Sequence, residues 1–363
     1  MRKVIYNIYA IYPQAAAKNA LVPELRMPFE ERKSLMRELI IGKNDAGQRL
    51  DKFITKTLDL PMSLLYKSIR LKKIKVNRKR AEASQKLAEG DTIQCFLADE
   101  FFEKGKKNDF SETSDLGAKS LERINATLNV VYEDENILLV NKPQGLSVHE
   151  DEVSRSNTLI SYILSYLYAK GEYDPDEEQS FAPALCNRID RNTAGIVIAA
   201  KNAMALRVMN EKIKAREIEK FYLAAVHGVP AKKEDTLHGY LLKDSKTNTV
   251  KVFAKNPPKA AKEIITRYKV IAKKDDSSLV EVELLTGRTH QIRAHMAFIG
   301  HALIGDGKYG VNKNDKARGY KYQALCSYKL RFSFKTDADG LNYLNGKEFS
   351  IPKSDIYFTK EFF

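Results

Sequence analysis

The sequence predicts an α+β protein in two units: a small α+β domain, then a larger one whose mixed, mainly antiparallel central sheet is flanked by helices and loops. Three observations carry that expectation. A length of 363 residues exceeds what one hydrophobic core usually serves and points to two domains with extensions. Short amphipathic stripes and strands share residues 38–100, whereas strand patterns separated by long loops take over from residue 128. Between them lies a polar stretch with no sustained period, which reads as a connector. The expected boundaries are an extension at 1–37 with the look of a disordered tail, a small domain at 38–100, a connector at 101–125 and a large domain at 126–355.

The extension holds three scattered prolines, an alanine cluster and the charged run Glu-Glu-Arg-Lys at 30–33. Met36 is a candidate for the true start of the chain. Met1-Arg-Lys opens like a signal peptide, but Asn7 and tyrosines at 6, 9 and 12 interrupt the apolar region such a peptide needs. In the small domain, residues 39–41 read as a strand. Leu50, Phe53, Ile54 and Leu58 then form one face of a helix. Ser63 is placed to cap a second helix over 64–71, with Leu65 and Ile69 inward. Residues 74–77 and 91–97 read as strands. In the large domain, 128–132 and 137–140 form a β-hairpin, and an apolar-striped helix covers 158–170. An acidic loop follows at 172–179 and is expected to stay clear of any polyanion. Asn202 caps a helix over 203–215, residues 219–228 alternate as a strand, and Thr289 is placed to cap a helix with Ile292, Met296 and Ile299 inward.

Charge narrows the partners. Lys+Arg 61 against Asp+Glu 47 gives a net charge of +14 and a pI near 9.3. That balance suits a polyanion through phosphate neutralisation, although a lysine-rich soluble protein has the same totals. Position decides between them: residues 67–80 hold eight lysines and arginines and no acid. Lys67, Arg70, Lys72, Lys73, Lys75, Arg78, Lys79 and Arg80 form one basic surface through helix, strand and turn, a candidate nucleic-acid contact. Cys95, Cys186 and Cys326 lie far apart without a Cys-x-x-Cys pair. They form no disulfide framework or zinc site and suit a reducing cytoplasm. No apolar run approaches the roughly 18 residues of a membrane helix.

The most informative stretch is Cys-Asn-Arg-Ile-Asp-Arg-Asn-Thr-Ala-Gly at 186–195. Asp190 sits between Arg188 and Arg191, just before the buried-strand run Ile-Val-Ile-Ala-Ala at 196–200. Nearby positive charge is expected to keep it ionised. Alone this reads as a salt bridge. About a hundred residues later comes Leu-Thr-Gly-Arg-Thr-His-Gln-Ile-Arg-Ala-His at 285–295. Together the two stretches resemble the signature motifs of the RluA-type RNA pseudouridine synthases, as does Asn-Lys-Pro-Gln-Gly-Leu at 141–146. The small domain, with Arg-Leu-Asp-Lys-Phe at 49–53 before its basic helix, resembles an RNA-binding domain of a ribosomal small-subunit protein that precedes the catalytic domain in many members of that family.

The resemblance implies isomerisation of uridine to pseudouridine in structured RNA, with base flipping and without metal or other cofactor. It implies Asp190 as the catalytic carboxylate and Arg293 as its ionic partner. Tyr222, in Lys-x-Tyr, would stack on the uracil and is a candidate base; Arg188 would enter the RNA stack behind the flipped base. Large-subunit ribosomal RNA is the first expected target and transfer RNA the second, for a monomeric cytoplasmic enzyme without membrane contact. A non-catalytic RNA- or ribosome-binding factor and a glycosidase-like hydrolase are the competing readings. Two positions depart from the family pattern: Asn187 stands where histidine is usual and Ala194 where serine is usual, which bears on loop packing and target choice. Lys142 is open to a structural or a phosphate-facing reading. Gly-Asp-Gly-Lys-Tyr-Gly at 305–310 formally matches a dinucleotide fingerprint but lacks the following apolar helix. His290 and His295, five apart, fall on different helix faces and do not pair as zinc ligands.

Overall fold

The structure, a computed structural model, describes residues 36–58, 60–104, 116–124, 127–149, 157–244 and 246–363. Most of the 1–37 extension and much of the 101–125 connector therefore lie outside the described residues.

The first unit is an antiparallel sheet, in the order β1-β4-β2-β3, packed against two helices. Its strands are β1 (Met36–Ile40), β2 (Ile74–Val76), β3 (Lys79–Arg80) and β4 (Thr92–Phe96). Helix α1 (Leu50–Thr57) buries Leu50, Phe53 and Ile54, and α2 (Met62–Arg70) buries Leu65 and Ile69. These side chains meet Ile74, Ile93 and Cys95 in a core separate from those of the large sheet, as their helical spacing predicts. Ser63 does not cap α2. The helix starts earlier, with Pro61 at the N-cap, because a proline just before the first turn gives up no hydrogen bond and presets φ. Two short helices follow, α3 (Glu100–Lys104) and α4 (Ala118–Glu122).

Among the described residues the large unit contains an 11-stranded sheet, ordered β11-β10-β12-β13-β9-β14-β8-β6-β5, with β15 on β14 and β7 on β8. In chain order its elements are β5 (Val130–Glu133), β6 (Ile137–Lys142), α5 (Leu159–Ala169), β7 (Ala184–Leu185) and β8 (Ala194–Ala200). Then come α6 (Ala203–Lys214), β9 (Ile218–His227), β10 (Glu234–Asp244), β11 (Thr249–Phe253), β12 (Lys262–Lys274) and β13 (Ser277–Leu284). The last are α7 (Gln291–Phe298), α8 (Lys313–Ala317), β14 (Leu325–Phe332) and β15 (Glu348–Ser350). β8 and β14 run parallel; the other pairs along the sheet are antiparallel. The sheet is mixed and mainly antiparallel, as expected.

The continuous apolar runs of β6, β8 and β9 divide by alternate residues between two cores, one on each face of the sheet. Leu139, Ile196, Ile198 and Phe221 join Val208 and Met209 of α6 on one face. Leu138, Val140, Val197 and Tyr222 join Ile163 and Leu167 of α5, with Ile292 and Met296 of α7, on the other. Thr158 and Asn202 cap α5 and α6 through their side chains. The large unit also continues past 355, since Ile356 and Phe358 are buried in the first of these cores.

Candidate active site

The loop over 186–193 is tied down at several points before β8 begins. Asn187 Oδ1 accepts the Ile198 N–H at 2.8 Å, the packing role left to it where the family pattern has histidine. Lys142 resolves to its structural reading. It has no exposed surface, and its Nζ donates to the carbonyls of Pro143, Leu146 and Arg191 at 2.8, 2.8 and 2.9 Å. Burial pushes this amine down to about 7 against the pull of Asp190. Three acceptors nevertheless match the three protons of an ammonium, and that geometry identifies the charged form as the clamp. Arg191 turns its Nε to the Gly145 carbonyl at 3.0 Å, and Arg188 is exposed at the cleft rim.

The cation that does meet Asp190 comes from α7. Arg293 Nη1 donates to Asp190 Oδ2 at 3.0 Å. The rest of the guanidinium is bidentate to Asp306, Nε to Oδ2 at 2.7 Å and Nη2 to Oδ1 at 2.9 Å. Burial alone would raise the Asp306 carboxyl, but the hydrogen bonds and charge of Arg293 hold it below its usual range. Gln291 anchors the start of α7 by donating to Ile265 O and Thr266 Oγ1 at 3.1 and 3.0 Å. The N-cap is His290, with a left-handed φ of 56°, and Thr289 makes no cap. The chain turns too sharply there for the threonine side chain to serve the first helical N–H groups. His295 is buried beside Thr266 Oγ1 at 3.0 Å, and burial lowers it to about 4. It is a neutral packing histidine.

Asp190, Arg293, Tyr222 and Arg188 line one cleft, with Ile189, Leu284, Ile292 and Leu325 as apolar walls and Arg288 and His290 beside them. Its volume, about 160 Å³, is small beside the roughly 300–1,000 Å³ of pockets that enclose a drug-sized ligand. It suits a single ring with the remainder of a polymer outside. Tyr222 is buried. Burial pushes its phenol up to about 12, opposed by the Ser327 hydroxyl and reinforced by Asp190. A carboxylate held by a buried guanidinium beside an aromatic ring can act on a bound ring or on the carbon attached to it.

The eight basic residues of 67–80 are not in this cleft. They lie in the first unit, exposed except for the half-buried Lys75. Sequence reasoning missed Asp306, Tyr309 and the contribution of His290. The family resemblance extends to 301–310 and implies a loop beside the active site, but it assigns no role to the aspartate and tyrosine within it.

The RNA pseudouridylate synthase family matches residues 136–298, from the start of β6 to the end of α7. The ribosomal large subunit pseudouridine synthase C of Vibrio parahaemolyticus is 32% identical over 281 residues, which are 77% of this chain and 82% of that protein. The chain belongs to the RNA pseudouridine synthase family. A Mycoplasma capricolum protein named uncharacterized RNA pseudouridine synthase is also 32% identical, across 86% of this synthase and 96% of its relative. Among solved structures, human RNA Pseudouridylate Synthase Domain Containing 4 aligns with 68% of this chain and 95% of its own, at 23% identity and a TM-score of 0.50. That likeness concerns the fold. The enzyme converts uridine in RNA to pseudouridine, and among the described residues no helix is long and apolar enough to cross a membrane.

Proposed function

We propose that the synthase acts on large-subunit ribosomal RNA, through Asp190 as the reacting carboxylate, Arg293 as its ionic partner and Tyr222 as the ring on which the target uracil stacks. One observation carries the assignment of roles: groups far apart in the chain converge on a cleft sized for one base, with Arg293 Nη1 3.0 Å from Asp190 Oδ2. The reaction breaks the bond between sugar carbon 1′ and uracil N1, rotates the base, and joins carbon 1′ to carbon 5. The carbon-5 proton leaves, N1 gains a proton, and no net oxidation occurs. None of these steps calls for a metal or redox cofactor. Tyr222 offers its face to the uracil; burial pushes its phenol up to about 12, so it has to give up that proton before it can take the one that leaves carbon 5.

A cleft of this size admits the base only when it leaves the RNA stack, at a cost of a few kcal/mol. Arg188 at the rim is placed to occupy the vacated position. The exposed basic residues of 67–80 supply phosphate contacts that offset the cost. The name of the Vibrio relative supports ribosomal RNA as the target.

The test is a pseudouridine map of total RNA from cells with and without the gene, combined with purified Asp190→Asn on unmodified ribosomal RNA. Loss of a large-subunit ribosomal site in the deletion strain, and a variant that binds RNA but forms no product, are the expected results. A lost site confined to transfer RNA would overturn the target, and product from Asp190→Asn would overturn the carboxylate assignment. Released uracil would identify a hydrolase.

A further inference from the structure

The two oxygens of Asp190 have different surroundings. Oδ2 accepts from Arg293 Nη1 at 3.0 Å and lies 3.7 Å from His290 Nε2. Oδ1 has no hydrogen-bond partner among the described residues. His290 is held from its other nitrogen, Nδ1, which is 2.8 Å from the Tyr309 hydroxyl. That hydroxyl accepts the Val250 N–H at 2.9 Å, which leaves its one proton to be donated to His290 Nδ1. With Nδ1 accepting, the neutral imidazole carries its hydrogen on Nε2, the nitrogen that faces Asp190. Burial, opposed by Asp190 and reinforced by Arg293 and Lys308, lowers the imidazole below its ordinary value.

Tyr309 reaches the second group on Oδ2 as well, since the Arg293 guanidinium lies over its ring at 5.3 Å. The backbone N–H groups of Lys308 and Tyr309 donate to Asp306 Oδ1, the carboxylate that grips the far side of Arg293. His290 is presented from a left-handed backbone with φ 56°, a conformation non-glycine residues seldom adopt.

We propose that His290 and Tyr309 are positioning residues that, with Arg293, immobilise Oδ2 of Asp190 and leave Oδ1 as the oxygen that meets the uridine. This rests on the assignment of Asp190 as the reacting carboxylate. At 3.7 Å the histidine is outside hydrogen-bond length, and such contacts tighten when substrate closes the site.

The experiment compares the full chain with Asp190→Asn, His290→Ala, His290→Gln and Tyr309→Phe on unmodified ribosomal RNA. It measures kcat, KM, RNA affinity and the melting temperature. His290→Ala is expected to lower kcat by about 10- to 100-fold, the scale of a misplaced reacting group, with KM and RNA affinity near the parent's. His290→Gln should recover most of that loss, because its amide N–H can occupy the place of Nε2–H. Tyr309→Phe should fall between. Parent-like kcat in His290→Ala beside an inactive Asp190→Asn overturns this inference and leaves the carboxylate assignment intact; an active Asp190→Asn overturns both. Equal losses in the alanine and glutamine variants, tracking melting temperature, would also overturn it. Where the alanine variant does not fold, parent-like turnover in Tyr309→Phe is decisive against the proposal.

Discussion

Arg293 is a buried cation between two carboxylates, and its planar fork serves both at once. A lysine has the charge but not the fork. Arg293→Lys is therefore expected to lower turnover by at least about 100-fold and to cost on the order of 3 kcal/mol of stability, because Asp306 loses half of its compensation. Chemical denaturation beside a pseudouridine assay separates the two effects. Lys142 is the complementary case, a buried cation whose partners are carbonyl oxygens. Lys142→Met fills the same space but takes the ammonium from all three carbonyls, of which only that of Arg191 keeps another donor, the Gly145 N–H at 3.0 Å, for an expected loss of about 2–5 kcal/mol. Its activity should fall further than its stability, since one of the three carbonyls belongs to Arg191, next to Asp190. The aspartate and its partner were legible from their motifs. The other partner of Arg293 was not, because a charge's neighbours in a folded chain are independent of its neighbours in sequence.

Among the elements, β8 and β14 set the position of the site. Gly195 pairs with Ser327 where these parallel strands meet. Its φ is +119°, and a Cβ there would lie 2.3 Å from the Ser327 carbonyl oxygen. Gly195→Ala must push the strands apart or abandon the parallel pairing. A loss of about 3 kcal/mol or more is expected, with the Asp190 loop displaced, as a melting curve and a turnover assay would record. Strand and helix existence was legible wherever burial follows a period, as in α1, where Leu50, Phe53 and Ile54 are all buried. Helix starts were less so, because Pro61 and His290 displaced the expected caps Ser63 and Thr289 through backbone geometry. For the basic surface at α2 to β3, replacing Lys67, Arg70, Lys72 and Lys73 with glutamine should lower the salt dependence of RNA binding. The log–log slope should fall by about 0.7–0.9 for each phosphate that is no longer neutralised. An unchanged slope in filter binding at several salt concentrations would mean that this surface does not meet RNA.

At the scale of the whole molecule, the small unit packs against the large one. Gln48 donates to Ser180 at 2.8 Å, Gln179 to the Ile40 carbonyl at 2.6 Å, and Asn44 to Glu178. Lys86 reaches Asp339 at 3.4 Å. The acidic loop thus faces the small unit. Burial pushes Glu178 up to about 7 from its ordinary 4.5, with Asn44 opposing and Asp45, Asp174 and Glu177 adding repulsion. A raised carboxyl holds a proton in the folded state that the unfolded chain has released. Its contribution to stability is complete below about pH 4.5 and is lost as pH rises through about 7. Glu178→Gln should remove that part of the pH dependence, visible as a flatter plot of melting temperature between about pH 5 and 8. A parent-like slope would place the titration elsewhere.

What the sequence determined by itself is whatever repeats along it or sits in a compact motif. The continuous apolar runs of β6 and β8 specify a sheet buried on both faces, the spacing in α1 specifies a small separate core, and Asp190 stands out between its flanking arginines. Beyond the Asp190–Arg293 pair that the motifs implied, tertiary structure alone decided which charges meet. It turned Arg191 to Gly145, put Asp306 and Tyr309 behind Arg293, and sealed Lys142 under three carbonyls. The physical reason is range. Periodic burial is written into neighbouring residues by the geometry of helix and strand, whereas a buried charge is satisfied by whatever donor or acceptor the closed fold brings within about 3 Å.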